Sequence, residues 1–375
     1  MDERNAERDS ATLSTLMLDV HDLVAVVADV GLDSFMDEMI ATLRTSIGAF
    51  DDRVVEHQVR SGFSYNTPEH GLVEWMPAMV TRDVVSVKTV GYHPANPVRR
   101  GIPSVLATTA LYDTRTGRLM AMCEATLLTA IRTGAASAVV TDATTHHQPI
   151  SLGVVGCGAQ AVTQIHALRR VRTIDRLVVT DTDAVVANSL WERLPDGVVT
   201  PEVVSLDEFN ARIGTFDVVC TCTSVPLGHP PVADFSRARP NLHVNAVGAD
   251  FPGKTELPLE YLESAVVIPD LAEQCMIEGE SQRLRLEDLG PSMVDVVGGK
   301  VQGLATQRTV FDSTGWSYED LLAAQLFLGH AQRLGLGTTI DLQLEPNDPY
   351  DPYEMVRFTA AQRSIQSSAS VREIG

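Results

Sequence analysis

An α/β fold in two domains is predicted by three features of the sequence. Residues 151–183 read as strand, glycine turn, helix and second strand. Continuous apolar runs follow at 217–223, 242–247 and 265–268, the pattern of a buried parallel sheet. The part before this unit is rich in alternating strand patterns, and a helix-period segment at 318–334 comes after the last strand. The first domain is therefore expected to be discontinuous. It takes residues 1–131 and is continued by 316–375, with a nucleotide-binding domain at 132–315 between the two pieces.

Taken in order, residues 1–13 are charged and polar and are expected to form a mobile, solvated arm. A short strand near Leu16 leads into two helices that end near Ile47, with Asp33 and Ser34 as candidate caps of the second. Between Val59 and Asp113 the runs VEWMPAMV, VVSVKTVGYH and SVLATTALYD predict strands. Thr116 and Gly117 mark a hairpin turn, and 124–143 reads as helix. After the glycine turn, helices are expected at 161–170, 207–213 and 257–264, and a last strand at 309–312. The segment after Asp341 is expected to be irregular.

Composition sets limits on partners. A net charge of −20 argues against nucleic-acid or anionic-membrane binding, both of which need basic surface. The first residues lack the apolar core of a signal peptide, and no apolar run is long enough to span a bilayer. Five scattered cysteines and no zinc-type His/Cys spacing fit free thiols in a reducing cytoplasm. His243, in an apolar strand, reads as a satisfied core histidine.

The glycine turn carries the clearest chemistry. Gly156, Gly158 and Ala161 form the G-x-G-x-x-G/A fingerprint of a Rossmann domain. Gly156 permits the tight turn and Gly158 lets the backbone approach a pyrophosphate, at the N-terminus of a helix with free N–H groups. Asp181, at the end of the next strand, is placed to accept hydrogen bonds from ribose hydroxyls. It would repel a 2′-phosphate, and no arginine follows it, so the expected cofactor is NAD and not NADP.

Ligands of such sheets sit beyond the carboxyl ends of the strands. Asp250 lies there in a glycine-rich loop, free to enter a cleft or merely to cap the turn. Lys88 stands inside an apolar strand, either as an edge-strand device or as an anion ligand. Arg132 lies in a helix of small apolar residues with no acid one turn away. Its partner is a substrate carboxylate, a cofactor phosphate or an acid across a domain interface. Glu74 and Arg60 are weaker candidates, with surface charge as their ordinary role.

These residues fall in motifs that resemble the ornithine cyclodeaminase/μ-crystallin family from about residue 20 to 355. The motifs are GxGAQ (156–160), RTGAAS (132–137), VGADxxGKTEL (247–257), EGExQ (278–282) and FDSTG (311–315). VKTVGYHPANP (87–97), HVNAVGAD (243–250) and DPYDPY (348–353) are most similar to its bacterial lysine cyclodeaminase branch.

The resemblance implies a redox-neutral cyclisation on bound NAD. Hydride leaves Cα, the side-chain amine attacks the resulting imine, ammonia departs, and the hydride returns. L-Lysine would give L-pipecolate, and L-ornithine L-proline. It also implies roles for individual residues. Asp250 would be the acid/base and hold the side-chain amine. Lys88, Arg132 and Arg60 would clamp the α-carboxylate, Glu74 would face the distal ammonium, and Thr314 would lie near the substrate. Ser104, Arg132, Ala159, Gln160, Asp181, Thr223, Val244, Asn245, Ala246, Val247, Lys254 and Ser313 would lie along NAD. Ser104 departs from the threonine usual at its position. A homodimer formed through the strand-rich domain is expected. The alternatives are a net dehydrogenase or ketimine reductase on the same scaffold and a non-catalytic ligand-binding protein.

Overall fold

The computed structural model describes residues 14–357. The arm at 1–13, and residues 358–375, lie outside the described residues.

The described chain begins with β1 (Thr15–Leu18), α1 (Val20–Val30) and α2 (Leu32–Gly48). A capping box starts α1: Asp19 accepts from the N–H groups of His21 and Asp22, and Asp22 accepts from the N–H of Asp19. Gly31, at φ +89°, ends α1 and turns the chain into α2. The expected capping of α2 by Asp33 or Ser34 does not occur, since Gly31 is the N-cap and no side chain caps it. Asp33 instead accepts from Arg169 and Arg170 and pairs with His166, on the helix after the glycine turn. Two guanidinium groups hold that carboxylate more strongly than local backbone N–H groups would.

Next come β2 (Val55–His57), β3 (Ser61–Tyr65), β4 (Gly71–Val80), β5 (Val84–Tyr92), β6 (Val105–Asp113) and β7 (Leu119–Glu124). The expected strand-rich region is therefore present, with Gly117 at φ +75° in the β6–β7 turn. β5 lies between β4 and β6, antiparallel to both. The edge-strand reading of Lys88 is thus excluded, and its side chain is buried at 1% exposure. Helix α3 (Thr126–Thr144) then runs unbroken through residues 131 and 132, the expected domain boundary. Its small residues bury it nearly all round, so no linker forms there.

The second sheet contains β8 (Ile150–Val155), β9 (Ile174–Thr180), β10 (Glu202–Val203), β11 (Val218–Thr221), β12 (His243–Ala246), β13 (Val266–Pro269) and β14 (Thr309–Asp312). Its order is β10-β9-β8-β11-β12-β14-β13 and every pairing is parallel. The order reverses between β8 and β11, and this switch point is where such sheets bind ligands. Helix α4 (Ala159–Val171) follows β8 directly, as the fingerprint requires. The short β10 and the helix α5 (Ala272–Glu278) have no counterpart in the sequence reading.

After β14, helix α6 (Ser317–Leu334) leads to β15 (Thr338–Ile340), which pairs antiparallel with β1. The first sheet therefore has the order β15-β1-β7-β6-β5-β4-β2, with β3 also on β4. One core lies among α1, α2, α3, α6 and this sheet, and two more cover the faces of the parallel sheet.

His243 is a satisfied core histidine, as read from the sequence. Nδ1 contacts the Thr309 hydroxyl at 2.7 Å and Nε2 the Asn245 carbonyl oxygen at 3.2 Å. Burial pushes its pKa down to about 4. All five cysteines are free. Among the described residues no helix is long and apolar enough to cross a membrane.

Helices α3 and α4 meet through Gly134. A Cβ there would sit 2.4 Å from the Thr163 carbonyl oxygen. Gln164 reinforces the contact by donating to the Thr133 carbonyl at 3.2 Å. Gly134→Ala is expected to force the helices apart and cost about 1–3 kcal/mol. Chemical denaturation checks this; an unshifted midpoint would contradict the close approach.

Candidate active site

One cleft of about 680 Å³ lies between the two sheets. Its wall includes Arg60, Glu74, Lys88, Arg132, Asp250 and Thr314, so the residues singled out for substrate binding come together. They arrive from different elements: Arg60 from the loop after β2, Glu74 from β4, Lys88 from β5, Arg132 from α3, and Asp250 and Thr314 from the loops after β12 and β14. Leu72, Met76, Val90 and Val105 supply an apolar wall.

The cations of this cleft are already paired. Arg132 Nε donates to Asp320 Oδ1 at 2.9 Å and Nη1 to Glu319 Oε2 at 3.0 Å. Lys88 Nζ lies 2.8 Å from Asp320 Oδ2. The partner required by Arg132 is thus an acid pair from α6, which shares a core with α3. Burial pushes the Lys88 pKa down to about 8, against the pull of Asp320. Burial also pushes Glu319 up to about 8. For Asp320, Arg132 and Lys88 together outweigh burial and hold the carboxyl below its usual range.

Arg60 is even more committed. Its Nε lies 2.7 Å from Glu278 and Nη1 3.5 Å from Glu74, while Nη2 donates to the Thr314 and Gly315 carbonyls. Burial pushes Glu278 up to about 8 although Arg60 opposes it. Thr314 is also engaged, donating to Asp270 at 3.1 Å and accepting from Gln274 at 2.8 Å. Asp250 accepts from Lys254 at 2.9 Å and stays one-third exposed to the cleft. Burial disfavours charge on Lys254, but Asp250 above all holds its pKa above the usual lysine range. The Lys254 ammonium also lies 5.3 Å from the Tyr92 ring centroid.

Buried carboxylates stitch the site loops together. Glu256 accepts from the Thr221 hydroxyl, from the N–H and hydroxyl of Thr223, and from the N–H of Gly248. Glu280 accepts from the N–H groups of Glu256 and Leu257, and Asp312 from those of Glu280 and Ser281. Gly248 and Gly279 have to be glycine, because a Cβ would lie 2.3 Å from Glu256 and 2.6 Å from Asp312. The spacing inside VGADxxGKTEL and EGExQ is thereby explained.

The glycine turn can hold a dinucleotide. Gly156 adopts φ +88° with Cys222 O only 2.8 Å from where a Cβ would lie. Gly158 has open space at its Cβ position and caps α4 without any side-chain bond, so the first N–H groups face outward beside Ala159. Asp181 lies half-buried at the end of β9. It also braces the turn, accepting from the N–H groups of Cys157 at 2.7 Å and Asp183 at 2.8 Å. Gln160, Val247 and Ser313 line the cleft itself.

The side chains of the run 244–247 divide between core and cleft. Val244 and Ala246 are buried in the core, and Asn245 donates to Thr141 inside the fold. Strand alternation turns these side chains into the two faces of the sheet, and only Val247, past the strand end, reaches the cleft. Ser104 is half-buried before β6 and does not line the cleft; its carbonyl accepts from the N–H of His93.

The model of the ornithine cyclodeaminase/mu-crystallin family matches residues 20–333. The chain belongs to that family. The L-lysine cyclodeaminase of Streptomyces rapamycinicus is 35% identical over 346 residues, covering 92% of this chain and 100% of that one. A solved lysine cyclodeaminase that recognises L-lysine, L-ornithine and L-2,4-diaminobutyric acid is 40% identical, with a TM-score of 0.87 over 91% of this chain and 99% of that one. An archaeal alanine dehydrogenase dimer with bound NAD is 27% identical, with a TM-score of 0.78 over 88% of this chain and 100% of that one. The family assignment agrees with the motifs of the sequence.

Sequence reading missed Asp270, Gln274, Glu278, Glu319 and Asp320 as site residues. The available signal was an acid pair opening an apolar helix, SYEDLLAAQ. In this family member both acids are buried.

Gly315 separates the Thr314 loop from Arg132. It has φ +92°, and a Cβ would lie 2.7 Å from Arg132 Nη2. Gly315→Ala is expected to strain the loop and displace the guanidinium, raising KM for an amino-acid substrate about tenfold, the worth of one disturbed charged contact. Steady-state kinetics measures it; an unchanged KM would contradict the packing.

Proposed function

We propose that this chain is an NAD-dependent cyclodeaminase that converts L-lysine to L-pipecolate and ammonia. One observation carries the reading. A single cleft presents Lys88 and Arg132 for a carboxylate, Asp250 and Glu74 for an ammonium, and Gln160 from the dinucleotide turn. A basic amino acid has those charges, and the identity to lysine cyclodeaminases supports the choice among basic amino acids.

Bound NAD would supply reversible hydride acceptance at Cα. The chain's own residues do the rest. Lys88 and Arg132, with Arg60 in the same wall, hold the α-carboxylate and so fix Cα in the cleft. Asp250 accepts a proton from the side-chain ammonium, making that amine nucleophilic, and returns a proton to the departing ammonia. Its contact with Lys254 keeps a cation beside the carboxylate while the proton is elsewhere. Glu74, raised above its usual range by burial, faces the distal amine. Leu72, Met76, Val90 and Val105 keep water from the reactive imine. Asp181 selects NAD over NADP.

A homodimer through the first sheet is part of this proposal. Phe63 is 70% exposed on β3, with Tyr65, Trp75 and Leu106 also exposed on β3, β4 and β6, and such a patch calls for a cover. Free thiols fit a cytoplasmic location.

Turnover with L-lysine is expected to release ammonia with catalytic NAD and no net rise in absorbance at 340 nm. Stoichiometric NADH build-up would favour a dehydrogenase instead. Asp250→Asn is expected to keep NAD binding and lose turnover by about 10²–10⁴-fold, the scale of general acid/base catalysis. An active amide variant would sink the assigned role. Lysine and ornithine differ by one methylene, worth only about 1–3 kcal/mol in a pocket. Identifying the ring product from each amino acid decides between them, and dominant proline formation would overturn lysine.

A further inference from the structure

We infer that Asp320 is a positioning residue of the carboxylate clamp: one buried carboxylate bridges Lys88 and Arg132, fixes both in the cleft and keeps Lys88 charged. The geometry is direct. Asp320 Oδ1 accepts from Arg132 Nε at 2.9 Å, and Oδ2 lies 2.8 Å from Lys88 Nζ. All three side chains are at most 5% exposed. Asp320 sits in the first turn of α6, where the helix N-terminus favours negative charge. The inference rests on the proposed role of Lys88 and Arg132 as the α-carboxylate site.

Lys88 needs this partner more than Arg132 does. The charged groups around it are Asp320 and Glu319 from α6, Arg132 from α3, Arg60 from the loop after β2, and Glu74 from β4. Two of these are arginines, which do not shed their charge and repel the ammonium. Glu319 bonds Arg132, and Glu74 pairs with Arg60. Asp320 is the carboxylate in contact with Lys88 itself. Burial already lowers the Lys88 pKa to about 8 with Asp320 present. Removing the acid lowers it further, so Lys88 becomes neutral near neutral pH. A raised carboxylate affinity at low pH is then the signature, because a lysine with a depressed pKa regains its proton as pH falls.

Asp320→Asn is expected to raise KM for L-lysine at pH 8 by about 10- to 100-fold, the worth of one charge-assisted hydrogen bond. KM should fall back toward the parent value at pH 6, and kcat should change by less than about threefold if substrate and transition state are held alike. Asp320→Glu keeps the charge on a longer arm. Its KM should stay within about tenfold of the parent, the scale of one weakened ionic contact, and change between pH 6 and 8 no more than the parent's does. An amide variant with an equal loss at both pH values, or none, overturns the inference. So does an amide-like pH dependence in the glutamate variant, which also covers an amide that fails to fold. Calorimetry with L-norleucine, which has the α-carboxylate but no second amine, reads the clamp without turnover. It should reproduce the pH-dependent loss. If the parent turns over no basic amino acid, the cyclodeaminase reading fails while the norleucine test still decides the role of Asp320.

Discussion

Charge burial around one cleft governs this structure. Lys88 and Arg132 are buried and Arg60 is nearly so, and an isolated ion in such a place costs several kcal/mol. Each is matched by a carboxylate from a distant element: Asp320 and Glu319 from α6, Glu278 from the end of α5, and Glu74 from β4. These pairs tie the first sheet, the long helix α3 and the loops of the parallel sheet to one another. The cleft keeps its shape because moving any wall would leave an ion without its partner.

A second group of acids does the same for the cofactor side. Glu256, Glu280 and Asp312 are buried completely and accept from backbone N–H groups of neighbouring loops. Burial raises all three, Glu280 to about 8 and Asp312 to about 6. Loops without regular structure carry orphan N–H groups, and carboxylates satisfy several at once. The glycines beside them leave room for carboxylate oxygens against the backbone. Rigidity here comes from side-chain acceptors where a ladder of strand hydrogen bonds is absent.

Much of this was legible in the chain. The glycine turn, the parallel strands and α4 follow from local patterns of period and turn chemistry. Lys88 and Arg132 stood out because a cation in an apolar run is anomalous on its own element. Their partners did not stand out, because an acid at the start of a helix looks ordinary wherever it later lies. Asp33 was misread for a related reason: a capping residue by spacing was claimed by arginines from another helix. For Val244, Asn245 and Ala246 the resemblance supplies positions, and the direction in which the strand turns each side chain is read from the fold. Short elements such as β10 and α5 form through tertiary contacts and leave little periodic trace.

The pairing of β1 with β15 has a consequence for how the molecule is made. Thr15 faces Ile340 across that edge, so the first sheet holds residues from opposite ends of the described chain. The parallel sheet, by contrast, is drawn from one continuous stretch. During synthesis from the N-terminus, the middle of the chain can complete its sheet while the strand that covers β1 is still missing. Until then β1 presents a bare edge, and β15, far downstream in the chain, closes it. Assembly of the substrate-facing half is thereby made a late event, timed by the arrival of α6 with the two acids that neutralise the cleft.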